Sequence, residues 1–468
     1  MSDNSNVTRR TFMQSTAAAA AAASVVAGST SRQTVAAPLK KGEKLRFAMI
    51  GCGGRAGAHY GWAGREKIVA VCDADKSRLR RQVKGDIKGY TDYRELFKEM
   101  GDKIDAVVVA VPDHNHYPAV MRALKLGKHV YCEKPLVWSF WEGLQLAAEA
   151  KKQKVATQMG NQGMAGHGWR LCDSYIKGGV IGDVKEVHTW TNRPVWPQGF
   201  ETPKGEDDPA KYNLDWNSWI GPAPMRPFKH KHDEGRFKGK NVYHSFVWRG
   251  WLDFGAGALG DMACHTMNAM FKVLEPGYPI EVELMASKGA NKDTYPDSET
   301  IRWSFPKTDK RPGFTAFWYD GPGSDKAVPI PDAYEKGRKL PRTGTMFVGT
   351  KGVLQVTGDY NGTVMLVPEE ARRAFGDPKK KLKETVPPNR GGHYGEFLAA
   401  ARGERPWDST LSNFGYAGPM TSVIILGIIS QRVAAKLTFD PATLKFTGAK
   451  ADEANALLRR IERKGWEA

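Results

Sequence analysis

A short apolar segment that runs directly into a glycine-rich turn is the feature that most constrains how this chain can fold. Residues 44–50 have the composition of a buried strand and are followed by Gly51-Cys52-Gly53-Gly54-Arg55-Ala56, a G-x-G-x-x-A sequence expected to open a helix. The first glycine permits a tight turn, the second lets backbone N–H groups approach a pyrophosphate, and the small sixth residue lets helix and strand pack closely. The sequence therefore predicts the first βα unit of a dinucleotide-binding sheet.

A second predicted strand, residues 68–73, ends in Asp73, which lies 22 positions after Gly51. A carboxylate at that place can accept hydrogen bonds from both hydroxyl groups of a nucleotide ribose, which favours NAD over NADP. Capping of the next helix is the alternative role of Asp73. The basic residues that follow would also tolerate a 2′-phosphate, so NADP stays the less favoured cofactor; they are Lys76, Arg78, Arg80 and Arg81.

Two further strands are predicted, and polar residues follow each of them. Residues 104–111 form an uninterrupted apolar run, which is typical of a parallel strand buried on both faces. A helix over 118–126 and a strand over 128–132 come next. Because the carboxyl ends of parallel strands face the ligand crevice of an open α/β sheet, one cleft should collect the polar residues found there. They are Asp113, His116, Glu133 and Lys134.

The second half of the chain has a different pattern. Residues 182–192 alternate apolar and polar side chains, as a half-exposed strand does. Residues 193–260 are rich in Pro, Gly, Trp and Lys and show little periodicity, which predicts a long insertion of loops that builds a binding site or an oligomer contact. Further strands are predicted at 280–286, 300–305, 313–319, 346–349 and 353–357, and helices at 393–401 and 421–435.

The first residues predict where the protein works. Arg9-Arg10 is followed by a weakly apolar stretch with seven consecutive alanines and then by small residues. This pattern is typical of a twin-arginine export signal, and a disordered Ala-rich tail is the alternative. We therefore exclude residues 1–37 from the fold and expect a periplasmic or otherwise exported protein. The twin-arginine route carries folded proteins, which suits a tightly held cofactor.

Length, charge and cysteine content narrow the classes further. The 468 residues predict a nucleotide-binding domain over 38–160 and a substrate-binding α/β domain over 161–468. No run of 18 apolar residues occurs, so we expect no membrane-spanning helix. Five cysteines without C-x-x-C spacing indicate neither a disulfide framework nor a zinc site. The net charge of +18 is dispersed, and export removes the genome as a partner, so we expect an anionic glycan or envelope and no nucleic acid.

The motifs together resemble a known family. The chain is similar to the glucose-fructose oxidoreductase and inositol dehydrogenase family, written Gfo/Idh/MocA, in five features: a glycine turn with Arg55, a second strand tipped by Asp73, a Pro112-x-x-x-His116 loop, the Glu133-Lys134-Pro135 triplet and an Asp261-x-x-x-His265 pair. The resemblance covers the chain after residue 37 and points to an exported subgroup. It implies an N-terminal Rossmann domain and a C-terminal α/β domain with an open, mainly antiparallel sheet. It also implies a homodimer or homotetramer formed through that sheet.

The motifs and the resemblance together predict the residues that contact NAD. They are Gly51, Cys52, Gly53, Gly54, Arg55, Asp73, Pro112, Asp113, His116, Glu133, Lys134 and Asn161.

Catalysis requires a group that exchanges protons near the nicotinamide. Oxidation of a sugar alcohol moves a hydride to the cofactor and a proton to a base, and Lys134 at the crevice wall is one candidate. His265 is the other, because Asp261 lies four residues earlier on the same helical face and can orient the imidazole. The resemblance implies that Lys134 and His265 are the catalytic pair and Asp261 their partner. Helix capping by Asp261, a core role for His265 and a metal site are the alternatives; we predict no metal.

Substrate contacts are predicted from residue type. Four tryptophans lie in or beside the insertion, and aromatic faces stack on pyranose rings; they are Trp190, Trp196, Trp248 and Trp251. Arg193 or Arg249 can grip hydroxyl groups or a carboxylate. Ordinary packing is the alternative for each tryptophan. The predicted substrate-binding residues are Lys134, Arg193, Trp251, Asp261 and His265.

Export constrains the reaction as much as the motifs do. Because no free NAD pool exists outside the cytoplasm, the cofactor must stay bound and be restored within each cycle. A sugar oxidoreductase meets this condition, and so does a redox-neutral glycosidase or epimerase that acts through a transient keto sugar. A non-catalytic sugar-binding protein is the third hypothesis. The intact triplet at Lys134 favours the oxidoreductase, because glycosidases of the family that the chain resembles tend to lack it.

Overall fold

The N-terminal part of the molecule is a parallel sheet covered by helices. The computed structural model describes residues 42–332, 334, 339–387 and 391–468. Six strands lie in the order β3-β2-β1-β4-β5-β6, and every adjacent pair is parallel. The strand order reverses direction between β1 and β4, and this switch point is where a ligand crevice opens in such sheets. The strands are β1 (Arg46–Ile50), β2 (Lys67–Cys72), β3 (Lys88–Tyr90), β4 (Ala106–Val109), β5 (His129–Cys132) and β6 (Thr157–Met159).

The predicted Rossmann domain is thereby confirmed, including the buried strand β4 and the helix that follows it. The sequence did not indicate β3 and β6, because each strand has three residues, which are too few to show an apolar pattern. The helices of this part are α1 (Gly57–Ala63), α2 (Lys76–Gln82), α3 (Tyr93–Met100), α4 (His116–Lys125) and α5 (Phe140–Gln153).

The second sheet has nine strands in the order β13-β12-β11-β7-β10-β9-β8-β14-β15. Among the strands of the described residues, only β7 and β10 pair in parallel, so the predicted open and mainly antiparallel sheet is confirmed. Its strands are β7 (Val184–Thr191), β8 (Glu281–Lys288), β9 (Ser298–Phe305), β10 (Phe314–Tyr319), β11 (Thr343–Gly349), β12 (Val353–Thr357), β13 (Thr363–Val367), β14 (Lys436–Asp440) and β15 (Lys445–Thr447).

One long helix connects the two sheets. Helix α14 (Phe414–Val433) is almost entirely buried and packs against α5 of the first part and against α8 (Gly257–Thr266) of the second. The helices of the second part are α6 (Gly168–Lys177), α7 (Trp216–Ile220), α8 (Gly257–Thr266), α9 (Asn268–Leu274), α10 (Ser324–Ala327), α11 (Glu369–Phe375), α12 (Pro378–Lys381), α13 (Gly392–Ala401), α14 (Phe414–Val433) and α15 (Ala451–Ala456).

Helix α14 bears on the expectation that no helix of this chain spans a membrane. Within the described residues it is long and apolar enough to cross a membrane, and 83% of its most apolar 18-residue window is buried inside the protein. The criterion of an unbroken apolar run overlooked it, because small polar residues interrupt the run without making the helix polar. Its burial between the two sheets is the packing of a core helix.

The insertion is irregular, as predicted, and it binds the two parts together. Its aromatic side chains form a separate buried cluster that includes Trp216, Trp219 and Trp251. The Asp215 N–H donates to the carbonyl of Ala74, just beyond β2, at 2.9 Å. The insertion ends where α8 begins, at Gly257 rather than after Gly260.

The end of the chain returns to the first sheet. The guanidinium of Arg94 on α3 lies 3.6 Å from the centre of the Trp466 ring, and the Trp141 N–H donates to the Leu458 carbonyl at 3.1 Å. The second part of the molecule therefore contacts the first sheet through the insertion and again through the last residues of the chain.

Gly51 should tolerate no side chain. Its φ is +105°, and a Cβ atom would overlap the carbonyl oxygen of Ala110. We predict that Gly51→Ala lowers the free energy of unfolding by roughly 2–4 kcal/mol, measured by urea denaturation without cofactor. Gly57→Ala is the control, because a Cβ there meets nothing within 4 Å and helical alanine is favoured. Equal stability of the two variants would contradict this account of the turn.

Candidate active site

The glycine turn lies between two strands that hold it in place. The Gly51 N–H donates to the Cys72 carbonyl at 2.8 Å, and the Cys52 N–H donates to Asp73 Oδ2 at 2.8 Å. The second oxygen of Asp73 accepts from the Asp75 N–H at 2.8 Å, and burial raises the pKa of the Asp73 carboxyl. Asp73 therefore organises the turn and stands at the end of β2, where the ribose carboxylate of a dinucleotide site belongs.

The turn fits NAD on its open side. Gly54 has a φ of +54°, and a Cβ there would meet nothing within 4 Å, so the backbone after the turn is uncovered. The side chain of Arg78 lies against Gly53, and its Nε is 3.2 Å from Asp75 Oδ2. The bare backbone, the carboxylate of Asp73 and the switch point of the sheet together fit a dinucleotide.

Glu133 is a buried anchor at the end of β5. It accepts hydrogen bonds from Arg55 Nε at 3.0 Å, His59 Nε2 at 2.9 Å and Gln162 Nε2 at 3.1 Å. Burial disfavours its charge, but His59, Arg55 and Lys134 outweigh burial and lower the pKa of Glu133 to about 2. Glu133 and Arg55 thus form a partly buried ion pair, and this pair positions the backbone next to Lys134 in the cleft.

Asp261 joins three segments of the chain. It lies in the second turn of α8, whose N-cap is Ala256, so the capping alternative is wrong. Asp261 Oδ1 accepts from Lys134 Nζ at 2.7 Å and from Arg249 Nε at 2.9 Å, and Lys134 Nζ also donates to the Asp261 carbonyl at 3.0 Å. Burial opposes its charge, yet Lys134 and Arg249 hold the pKa of Asp261 well below its usual range. A buried carboxylate with two cations forms a charged centre in the cleft.

His265 lies one turn after Asp261 but is not oriented by it. The carboxylate is engaged by two cations, and within the described part of the chain His265 Nδ1 is buried without a hydrogen-bond partner. The expectation that Asp261 fixes the imidazole is therefore wrong. Burial, reinforced by Lys134, lowers the pKa of His265 to about 3, so the imidazole is neutral near pH 7. Its ring centre is 4.8 Å from that of Tyr360, which the sequence analysis missed.

The loop after β4 adds a second carboxyl group to this centre. Asp113 Oδ2 accepts from the Ala256 N–H at 3.1 Å, and burial, with a smaller contribution from Asp261, raises the pKa of Asp113 to about 8. His116 braces the loop, because its ring nitrogens lie 2.7 Å from the Pro135 carbonyl and 2.9 Å from the Val111 carbonyl. Asp113 therefore lies near Lys134, Arg249 and Asp261, whereas the contacts of His116 are with backbone carbonyls.

Three residues that were predicted to contact NAD or the sugar are bonded to, or placed by, other parts of the protein. Asn161 is buried, with its oxygen accepting from Ser412 Oγ at 2.6 Å and its nitrogen donating to Asn268 at 3.1 Å. Trp251 is fully buried and donates its indole N–H to the Val242 carbonyl at 2.6 Å. The structure therefore presents no Trp251 face to a sugar. Pro112 forms the N-cap of the short 3₁₀ turn that carries Asp113.

Arg193 lines an open cavity next to His265. Arg193 Nη1 donates to Asn192 Oδ1 at 2.7 Å, and Nη2 donates to Asp359 Oδ2 at 3.1 Å. The cavity has a volume of about 490 Å³ and is lined by Asn192, Arg193, Pro341, Arg342, Thr343, Gly358, Asp359 and Tyr360. Because Tyr360 contacts both the cavity and His265, the cavity and the charged centre adjoin.

Residues 244–249 form a segment that we call the cleft strap. At one end His244 Nε2 is 3.0 Å from Asp75 Oδ2, and at the other end Arg249 reaches Asp261. Between them Phe246 has a φ of +74°, which is unusual for a bulky residue, and its ring is 4.6 Å from the Arg249 guanidinium. The strap therefore connects the ribose end of the cleft to the charged centre, and sequence alone gave no signal for it.

The metal alternative finds no support at this place. Among residues 42–332, 334, 339–387 and 391–468, no group of three His, Cys, Asp or Glu side chains is arranged to hold a metal ion. Asp261 is instead occupied by Lys134 and Arg249.

Two family matches cover about half of the chain. Residues 45–161 match the family described as "Oxidoreductase family, NAD-binding Rossmann fold", and residues 186–305 match "Oxidoreductase family, C-terminal alpha/beta domain". The N-terminal part is thus an NAD-binding Rossmann domain.

Curated relatives match the chain over shorter stretches. Inositol 2-dehydrogenase 1 of Saccharopolyspora erythraea is 32% identical over 158 residues, which is 31% of this chain and 44% of that protein. The 2,7-anhydro-N-acetylneuraminate hydratase of Mediterraneibacter gnavus is 29% identical over 151 residues, 31% of this chain and 39% of that protein. The chain therefore spans less than half the length of these two relatives.

Solved structures share the fold over most of this chain. The WlbA dehydrogenase of Chromobacterium violaceum, solved with NADH and UDP-GlcNAcA, has a TM-score of 0.56 and 18% identity over 86% of this chain and 98% of that chain. GenD2 from gentamicin A biosynthesis, solved with NAD, has a TM-score of 0.51 and 16% identity over 88% of this chain and 100% of that chain. At these identities the likeness concerns the fold.

The raised pKa of Asp113 predicts a pH-dependent stability. The folded protein holds this proton up to about pH 8, whereas an unfolded chain releases it near pH 4. Its contribution to the free energy of unfolding is therefore full at low pH and is lost, by about 1.4 kcal/mol per pH unit, as the pH rises through this window.

Asp113→Asn keeps an oxygen acceptor for the Ala256 N–H but cannot ionise. Urea denaturation at pH 5.5 and 7.5 should show a smaller loss of stability in Asp113→Asn than in the wild type. Parallel losses in the two proteins would show that Asp113 does not hold a proton in the folded state.

Proposed function

Because this chain belongs to the Gfo/Idh/MocA family of oxidoreductases, we propose that it is an exported enzyme that uses bound NAD to oxidise a secondary alcohol of a sugar or glycoside. One observation carries the proposal. The cleft beside the NAD-binding turn contains a charged centre in which Asp261 holds Lys134 and Arg249 next to the neutral imidazole of His265.

The residues of this centre suit proton removal from an alcohol. NAD, when bound, supplies a hydride acceptor, and the hydroxyl proton must pass to the protein. His265 is neutral near pH 7 and can accept a proton, while the ammonium of Lys134 can donate a hydrogen bond to the oxygen as negative charge develops. Asp261 and Arg249 position that ammonium. The residues that would hold NAD are those of the turn from Gly51 to Arg55, together with Asp73.

Retention of the cofactor is supported by the cleft strap. The strap contacts Asp75 at one end and Asp261 at the other, so both ends of the cleft are tied to the insertion. A protein sent across a membrane after folding would carry its NAD with it, and a strap that is held at both ends of the cleft would slow the loss of NAD. The proposal that a sugar binds beside the cleft is supported by Arg193, which lines the adjoining cavity.

A second candidate is a redox-neutral enzyme of the same family. One relative is named a hydratase rather than a dehydrogenase, and export favours a cycle that returns the hydride to its substrate. In such an enzyme the transient ketone acidifies the neighbouring C–H bond, so that an epimer forms or a glycosidic oxygen leaves.

The assembly is proposed to be a homodimer or homotetramer formed through the nine-stranded sheet. Strand β9 alternates buried and half-buried residues, so one face of this sheet is only partly covered within the chain. Light scattering of the purified protein measures the mass, and a monomer at micromolar concentration would contradict the proposal.

A single-turnover experiment separates the two enzymatic candidates. With a panel of sugars and glycosides, a dehydrogenase should reduce its bound NAD stoichiometrically, raise the absorbance near 340 nm and yield a keto sugar. The redox-neutral enzyme should give steady product formation without a net absorbance change, and solvent deuterium should enter the carbon beside the oxidised one. Binding without either signal would reject both candidates and favour a sugar-binding protein.

Lys134→Ala and His265→Ala should each lower turnover by on the order of 100-fold or more, because a positioned acid–base group contributes that much. Circular dichroism and thermal unfolding should show that both variants fold. Lys151→Ala is the matched control, since Lys151 is exposed on α5. Near-normal turnover of both variants would move the proton chemistry to other residues.

The export signal, which lies outside the described residues, is tested in cells. Arg9→Lys with Arg10→Lys should trap the protein in the cytoplasm, since the pair is read by the export machinery. Cell fractionation with immunoblotting measures this. Unchanged distribution between cytoplasm and periplasm would contradict export by the twin-arginine route.

A further inference from the structure

The cavity beside His265 has the composition of an anion-binding sugar subsite. It lies where the ends of β7 and β11 meet the turn between β12 and β13, and its charged residues are Arg193, Arg342 and Asp359. Asp359 is paired with Arg193 at 3.1 Å. The side chain of Arg342 is exposed and makes no hydrogen bond or ion pair with any described residue, so within the described part of the chain one positive charge at the cavity has no ionic partner.

Arg193 also has donors to spare. A guanidinium carries five N–H groups, and the described contacts of Arg193 use two of them, with Asn192 and Asp359. These two contacts fix the plane of the group while leaving N–H groups for a ligand. A planar, pre-positioned guanidinium is well suited to carboxylate or sulfate oxygens.

Tyr360 supplies the aromatic surface that the tryptophans do not. Its side chain is 48% exposed, whereas Trp190, Trp196, Trp248 and Trp251 are at most 9% exposed. The Tyr360 ring packs against the His265 ring, with 4.8 Å between the ring centres and an interplanar angle of 68°. A sugar that stacks on Tyr360 would therefore lie beside the imidazole.

The turn that carries Tyr360 is firmly held. Asn361 Nδ2 donates to the His265 carbonyl at 2.7 Å, and the Gly358 N–H donates to the Thr343 carbonyl at 3.1 Å. Gly168 at the start of α6 packs so closely on the Asn361 carbonyl that a side chain there would overlap it. Tyr360 is thus fixed relative to both His265 and the cavity.

We propose that this cavity is a subsite for a negatively charged substituent of the sugar substrate, with Tyr360 as the platform for the sugar ring and Arg342 and Arg193 as partners of the anion. The substrate class is then an anionic carbohydrate that carries a carboxylate or a sulfate. This inference rests on the proposed function for the identity of the substrate. The strongly positive net charge of +18 favours the same class, because it attracts anionic ligands.

Binding of three matched glycosides tests the subsite independently of turnover. Methyl α-D-glucopyranoside, its 6-sulfate and the corresponding uronate differ only at C6, and the galacto series provides a second set. Calorimetric titration of the NAD-loaded protein should show at least about tenfold tighter binding of a charged glycoside than of its neutral counterpart. A preference for the uronate identifies a carboxylate substrate, and a preference for the 6-sulfate identifies a sulfated one.

Variants connect the preference to the named residues. Arg342→Ala should reduce the preference for the charged glycoside about tenfold and leave the neutral one within twofold. Arg65→Ala is the control, since Arg65 is exposed in the loop before β2, at the amino end of the strands. Tyr360→Ala should weaken all glycosides, and Tyr360→Phe should restore them.

The proposal would be overturned if charged and neutral glycosides bound equally well, or if neither bound. It would also be overturned if Arg342→Ala and Arg65→Ala had equal effects. Failure of the proposed function is separate. A charge preference without any 340 nm signal or product would leave the subsite standing and reject the enzyme, whereas oxidation of neutral glycosides without a charge preference would reject only the subsite.

Discussion

The carboxylate of Asp261 is the constraint on which the rest of the site depends. A buried negative charge is costly unless cations face it, and here Lys134 comes from the Rossmann domain and Arg249 from the insertion, both bonded to the same oxygen. Asp261 itself lies on α8 of the second domain. One side chain therefore fixes three parts of the chain relative to one another, and it does so at the edge of the cleft where His265 and Asp113 lie.

The insertion links this local contact to the other end of the cleft. Its buried aromatic cluster gives the irregular segment a core of its own, so the cleft strap can hold a bulky residue such as Phe246 in a left-handed conformation. From that core the strap reaches Asp75 at the ribose end and Asp261 at the other end. Loops supported in this way can shape a binding site without strands or long helices.

The sequence predicted what local patterns determine. Apolar strands ending in Gly51, Asp73 and Lys134 indicated the Rossmann domain, because parallel strands place their carboxyl ends at one edge. The spacing of Asp261 and His265 indicated one helix, but the partners of Asp261 lie 127 and 12 residues away and depend on tertiary packing. Residue type could not tell which aromatic side chain is available to a sugar, because Trp251 and Tyr360 are both aromatic. Only the fold shows that Trp251 is buried and that Tyr360 is exposed at the cavity.

We propose above all that this chain is an enzyme that keeps its NAD bound. The most direct measurement is mass spectrometry of the small molecules released when the purified, folded protein is denatured, with Asp73→Ala as the matched variant. We expect about one equivalent of NAD per chain from the wild type and much less from Asp73→Ala, since the variant loses the carboxylate at the end of β2 that would bind the ribose. A wild-type protein that releases neither NAD nor NADP, and binds neither at millimolar concentration, would contradict the account.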